Sequence, residues 1–195
     1  MQKVTFLNCS MKNANGKYRG TRKPLQPLDI MYIYNTFKSN NYKCKFIEQE
    51  KIDIKKEDLL NEDVFLICTT NSYLTWNNHF LSLININNLL EYIYKIRTKK
   101  NFKIVIFGPH AINHYEYFIK KYKVDAVIIG EPDLTVEPVV DALIHNNSLD
   151  GFKNVVTADK LNGKFRPIPS QVENLDDLPM PNWEICEKMD YSAHN

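Results

Sequence analysis

A chain of 195 residues can bury roughly seven tenths of the surface that its unfolded form exposes, so a packed core needs no covalent staple. Its 44% hydrophobic and 25% charged residues exclude a wholly disordered, collagenous or membrane-embedded chain, and a net charge of +2 without an aromatic-basic signature argues against a nucleic-acid partner. Four widely spaced cysteines (Cys9, Cys44, Cys68, Cys186) and an apolar opening in place of a secretory leader predict reduced thiols in a cytoplasmic protein, and no apolar run reaches the ~20 residues of a membrane span.

The first predicted strand is 4–7, followed by a long loop, 8–26, whose lysines and arginines read as a solvated segment. Leu28, Met31 and Tyr32 open a helix, 44–47 is a second strand, and only 55–60 is left for a helix before the third strand, 64–68. A long helical stretch over 80–96 leads to strand 104–107. Tyr115, Phe118, Ile119 and Tyr122 then mark a helix, 126–129 a fifth strand, and Val136, Val139, Val140, Leu143 and Ile144 a last helix at clean i, i+3, i+4, i+7 spacing. Strands that are apolar on both faces and alternate with helices predict an α/β fold: a flavodoxin-like (Rossmann-like) five-stranded parallel sheet with helices on both faces. Residue 150 marks a change. Segments 154–158 and 164–168 flank Asn162-Gly163, a hairpin turn signal, and prolines 167, 169, 179 and 181 follow. The prediction is therefore a domain over 1–150, with a C-terminal β-hairpin and proline-rich connector over 151–195 leading to a neighbouring domain or partner.

In such a sheet ligands bind beyond the carboxyl ends of the strands, where strand order reverses. For the order 2-1-3-4-5 this crevice lies between the loops after strands one and three, which begin at Asn8-Cys9-Ser10 and at Thr69-Thr70-Asn71-Ser72-Tyr73. Gly108-Pro109-His110 and Gly130-Glu131-Pro132 complete the rim, with glycines that let a backbone approach closely. A phosphoryl receiver is excluded, since Thr69, Asn8-Cys9 and Gly130 stand where it needs an acceptor aspartate, further acids and a lysine.

The ordered set Phe107-Gly108-Pro109-His110-Ala111, then Val124-Asp125-Ala126-Val127-Ile128-Ile129-Gly130-Glu131-Pro132, then Thr135 and an apolar helix to Leu143, resembles the N-terminal cobalamin (B12)-binding domain of cobalamin-dependent radical S-adenosylmethionine enzymes. Pro27-Leu28-Asp29 and Leu175-Asp176-Asp177-Leu178-Pro179-Met180-Pro181-Asn182-Trp183 extend the resemblance over nearly the whole chain. It implies cobalamin bound base-off with no protein histidine ligand, because no histidine precedes His79 where related domains place Asp-x-His-x-x-Gly. The nucleotide tail is then expected between the loops after strands one and three. The cofactor-binding set is Asn8, Cys9, Ser10, Thr69, Thr70, Asn71, Ser72, Tyr73, Gly108, Pro109, His110, Gly130, Glu131 and Pro132, with no catalytic residue and no metal ligand assigned. Cys-x-x-x-Cys-x-x-Cys is missing from the sequence, so the [4Fe-4S] cluster and S-adenosylmethionine are expected only on a radical SAM catalytic domain, the implied partner, with methyl transfer as the joint reaction.

Within that set, His110 is expected in ligand contact, and Glu131 either accepts a bond from a corrin amide or caps the last helix. Cys9 and Cys68 are expected to pack as small buried hydrophobes. Tyr73 and Trp76 could stack on the ligand or fill the core. Two other readings stay open. One is an interaction or regulatory module of the same fold without the corrinoid, motivated by Phe107 standing where the family often has the first of two glycines. The other is an FMN or nucleotide carrier.

Overall fold

The computed structural model describes residues 1–10, 26–49, 59–69, 79–97, 101–163, 165–187 and 191. In chain order the elements are β1 (Lys3–Asn8), α1 (Leu28–Ser39), β2 (Lys43–Glu48), β3 (Val64–Cys68), α2 (His79–Arg97), β4 (Lys103–Phe107), α3 (Pro109–Tyr122), β5 (Ala126–Ile128), α4 (Val136–Ile144), β6 (Val155–Val156), α5 (Ala158–Leu161) and α6 (Glu184–Glu187). One sheet carries all six strands in the order β2-β1-β3-β4-β5-β6. The first five run parallel, and β6 pairs antiparallel with β5. Of the helix expected over 55–60, Leu59 and Leu60 are helical and the rest lies outside the described residues.

Because side chains alternate along a strand, the apolar runs feed two separate cores. Val4, Phe6, Val64, Leu66, Val105, Phe107, Ala126 and Ile128 face one side, where Ile30, Ile33 and Phe37 of α1 and Val136, Val139 and Val140 of α4 cover them. Leu7, Phe65, Ile67, Ile104, Ile106 and Val127 face the other, against Ile86, Leu90 and Ile93 of α2 and Phe118, Ile119 and Tyr122 of α3. Each fully buried Phe or Ile is worth about 1.5–3 kcal/mol of transfer free energy. Crossovers of one hand place α1 on the face opposite α2 and α3, since the chain steps from β1 to β2 in one direction and from β3 to β5 in the other. The reversal falls at β1, flanked by β2 and β3.

The sheet departs from the expected five strands at its far edge. Val155 and Val156 are a buried pair that completes the sheet against Ile128 and Val127, so they do not form one arm of a separate hairpin. The Thr157 side chain then accepts a bond from Lys160 N and starts a helical turn that ends at Asn162, with Gly163 N donating to Lys160 O. Asn162-Gly163 therefore terminates a short helix, the other common use of this dipeptide. Lys164 lies outside the described residues, and the chain beyond it rises parallel to β5: Ile168 N donates to Lys153 O, Ser170 N to Ile129 O, and Glu131 N to Ser170 O.

From Ser170 the chain forms a strap across the carboxyl edge of the sheet toward α1. Asn35 Nδ2 donates to Met180 O at 2.9 Å, Asn182 N to Met31 O at 3.0 Å, and Cys186 Sγ lies 3.6 Å from Met31 Sδ. At its far end the Tyr191 hydroxyl donates to Glu48 Oε2 at 3.0 Å, at the carboxyl end of β2. Among the described residues, no helix is long and apolar enough to cross a membrane.

Candidate functional site

The carboxyl ends of β4 and β5, the first turn of α1 and the strap enclose a cavity of about 700 Å³. Gly108, Pro109, Gly130, Glu131 and Pro132 all line it. Three of these residues are set by backbone geometry. Gly108 (φ 99°) is the N-cap of α3, in a left-handed conformation that a side chain would strain, and Pro109 fills the first helical position, where no N–H is needed. Gly130 (φ 94°) is constrained twice, since a Cβ there would also come within 2.3 Å of Ser170 O and 2.4 Å of Ser170 N.

Glu131 is exposed at the cavity rim and does not cap α4. Its backbone N–H donates to Ser170 O at 2.9 Å, its carbonyl accepts from Ser170 Oγ, and its carboxylate accepts from Val172 N. The first turn of α4 is closed by Pro132 O, which accepts from Thr135 N and Val136 N. Asp133 follows on the cavity wall, and burial, with the Glu131 charge adding to it, pushes its carboxyl pKa upward. His110 sits elsewhere than expected. It is 1% exposed on the inner side of α3, its ring 6.3 Å from that of His114, and it is not among the cavity-lining residues.

The second group of expected residues lies at the β1 and β3 ends. Asn8 Nδ2 donates to Glu48 Oε2 at 2.8 Å, and among the described residues Asn8 Oδ1 has no hydrogen-bond partner although it is buried. Cys9 is buried with its N–H on Cys68 O, and burial together with the Glu48 charge pushes its thiol pKa far up, which leaves a neutral, inert sulfur. Ser10 N donates to Gln49 Oε1 and Ser10 O accepts from Asn85 Nδ2, tying this loop start to β2 and α2. The Thr69 hydroxyl points inward: it donates to Phe107 O at 2.9 Å and accepts from Ala111 N at 3.4 Å. Thr70, Asn71, Ser72, Tyr73 and Trp76 lie outside the described residues.

Sequence reasoning missed Glu48, Tyr191 and the strap. A carboxylate closing an apolar strand is a visible signal for Glu48, which is 1% exposed and holds both Asn8 and Tyr191. Nothing in the spacing points from Tyr191 to a strand 143 residues earlier. Among the described residues, no group of three or more His, Cys, Asp or Glu is placed to hold a metal ion.

No protein-family model matches the chain. Over 97 residues, 48% of its length, the chain is 32% identical to the Pyrococcus horikoshii protein named "Uncharacterized methyltransferase PH0819", and that match spans 21% of the relative. Among solved structures, 95% of the chain superposes on 24% of the cobalamin-dependent S-adenosylmethionine radical enzyme OxsB with aqua-cobalamin bound, at a TM-score of 0.68 and 15% identity. It also covers 93% of its length on 31% of the radical S-adenosylmethionine methyltransferase TsrM from Kitasatospora setae with cobalamin and a [4Fe-4S] cluster bound, at a TM-score of 0.60 and 10% identity. The chain shares its fold with part of each enzyme. It spans about a fifth of the curated relative's length, 21%, and a quarter to a third of the two solved chains, 24% and 31%.

Proposed function

We propose that the chain is a cobalamin-binding module that presents a corrinoid to a radical S-adenosylmethionine domain, with residues 1–150 as the binding unit and 151–195 as the connector. The observation that carries the reading is the convergence of Gly108, Pro109, Gly130, Glu131 and Pro132, all singled out by sequence, on one cavity beyond the strand ends. The shared fold with two cobalamin-bound enzymes supports it.

The residues suit the group. Bare glycine backbone, two prolines and the flanks of Tyr32 and Ile112 offer a mostly apolar wall to the edge of a macrocycle, and backbone amides there can meet its peripheral carboxamides. Asn8 Oδ1 is a buried acceptor at the carboxyl end of β1, suited to a hydroxyl of the nucleotide tail entering beside β3. Thr70, Asn71, Ser72 and Tyr73 belong to the same proposed subsite. No histidine lies in 9–78, so the chain offers the lower cobalt face no imidazole from that loop, and the proposed state is base-off. When bound, cobalamin supplies a cobalt that carries a methyl group. The chain's own residues orient the corrin and exclude water from its edge, and the cluster-bound radical chemistry belongs to the partner domain.

Mixing the anaerobic chain with hydroxocobalamin and desalting tests the reading. Retained corrinoid absorbance near one equivalent is the expected result, and none retained overturns it. Yellow colour on purification would point instead to a flavin.

A further inference from the structure

The cavity has three walls from the α/β core and a fourth from far along the chain. Pro169, Ser170, Gln171, Val172, Leu175 and Leu178 of the strap line it together with Gly108 and Pro109. Without the strap the ends of β4 and β5 and the first turn of α1 form an open shelf. Between Ser170 and Leu178 the described hydrogen bonds of the strap to the core fall on Ile129, whose carbonyl accepts from Ser170 N and Ser170 Oγ, and on Glu131. Glu131 contributes a backbone donor, a backbone acceptor and a carboxylate that accepts from Val172 N. Gly130 makes this pairing sterically possible, since its missing side chain is the space Ser170 occupies.

Resting on the cobalamin reading above, we propose that Glu131 is a positioning residue of the cavity: its carboxylate clamps the strap at Val172, and the clamped strap is the wall that closes on the corrin ring. One carboxylate oxygen is already engaged by the Val172 amide, and in this proposal it is that bond to the strap that shapes the cavity. A charged acceptor on an amide is stronger than a neutral one, yet a neutral carbonyl in the same place retains most of the geometry. The clamp therefore needs an acceptor at this position more than it needs a charge.

This separates Glu131→Gln, which keeps an acceptor, from Glu131→Ala, which removes it. The measurements are titrations of the full chain with hydroxocobalamin and with cobinamide, the corrinoid that lacks the nucleotide arm, together with hydrogen exchange of the 170–175 amides without ligand. Glu131→Ala is expected to speed exchange at 170–175 and to weaken both corrinoids by the same factor, about threefold to tenfold, since the bond lost holds the wall beside the ring and nothing changes at the tail. Glu131→Gln is expected to stay within about twofold of the parent in both readouts. The Glu131 side chain is exposed, and the folding of each variant is checked by its cooperative unfolding transition.

Equal loss of affinity in both variants with unchanged exchange would mean that the carboxylate touches the ligand itself, and would overturn the clamp. Faster exchange with unchanged affinity for both corrinoids would overturn the strap as a wall. If the parent chain retains neither corrinoid, the cobalamin reading fails and this role falls with it. A parent that binds while Glu131→Ala binds equally well sinks the positioning role alone.

Discussion

Gly130 and Ser170 lie so close that a single methyl group on Gly130 would sit 2.3 Å from the Ser170 carbonyl oxygen, although 40 positions of sequence separate the two residues. Their parallel bridge fixes where the strap leaves the sheet and so where the cavity's outer wall begins.

Gly130→Ala forces either the strap or the β5 end to move, and adds the strain of a side chain at φ 94°. The expected cost is about 1–3 kcal/mol. Urea unfolding measures it, and a midpoint equal to the parent's would show that the pairing is not required.

From β1, Asn8 Nδ2 donates to the buried Glu48 carboxylate. Asn8→Leu removes that bond and is expected to destabilise by about 1–3 kcal/mol. Asn8→Asp sets two carboxylates side by side, which raises the pKa of the pair in the folded state. A raised folded pKa gives stability that is present in acid and lost as pH rises through it, so this variant should recover toward the parent on acidification from pH 8 to 5. A thermal-unfolding series across that range, parallel to the parent's, would contradict the account.

For Asp133 the direction is the same and the cause is burial. Its contribution is most favourable below the unfolded Asp value of about 3.9 and declines as pH rises through the higher folded value. Asp133→Asn removes the cost of a buried charge without changing shape. Its melting temperature should exceed the parent's at pH 7, and the gap should close near pH 4. A lower melting temperature at pH 7 would show that the charge is favourably held.

Thr69 separates a structural role from a ligand role. Its hydroxyl already links Phe107 O to Ala111 N, holding the β3 end to the start of α3. Thr69→Val should cost about 1 kcal/mol of stability and leave corrinoid affinity unchanged. A selective loss of affinity with full stability would put the hydroxyl on the ligand instead.

The sequence alone pointed to the parallel α/β core and singled out Gly108-Pro109 and Gly130-Glu131-Pro132, which the structure brings to one cavity, whereas the order 2-1-3-4-5 was taken from the flavodoxin-like fold and is found within the six-stranded sheet. These readings follow from local patterns: short runs apolar on both faces, helices with a 3.6-residue stripe, and glycines or prolines at strand ends. It also marked Cys9 and Cys68 as buried. Only the tertiary structure decided that Val155 and Val156 extend the sheet, that Asn162-Gly163 ends a helix, and that His110 and Thr69 point inward. It decided too that Glu131 holds Val172, Ser170 fills the space over Gly130 and Tyr191 reaches Glu48. The physical reason is range. A turn dipeptide suits both a hairpin and a helix end until a neighbouring strand edge chooses between them, and contacts across 40 to 143 positions leave no period in the sequence.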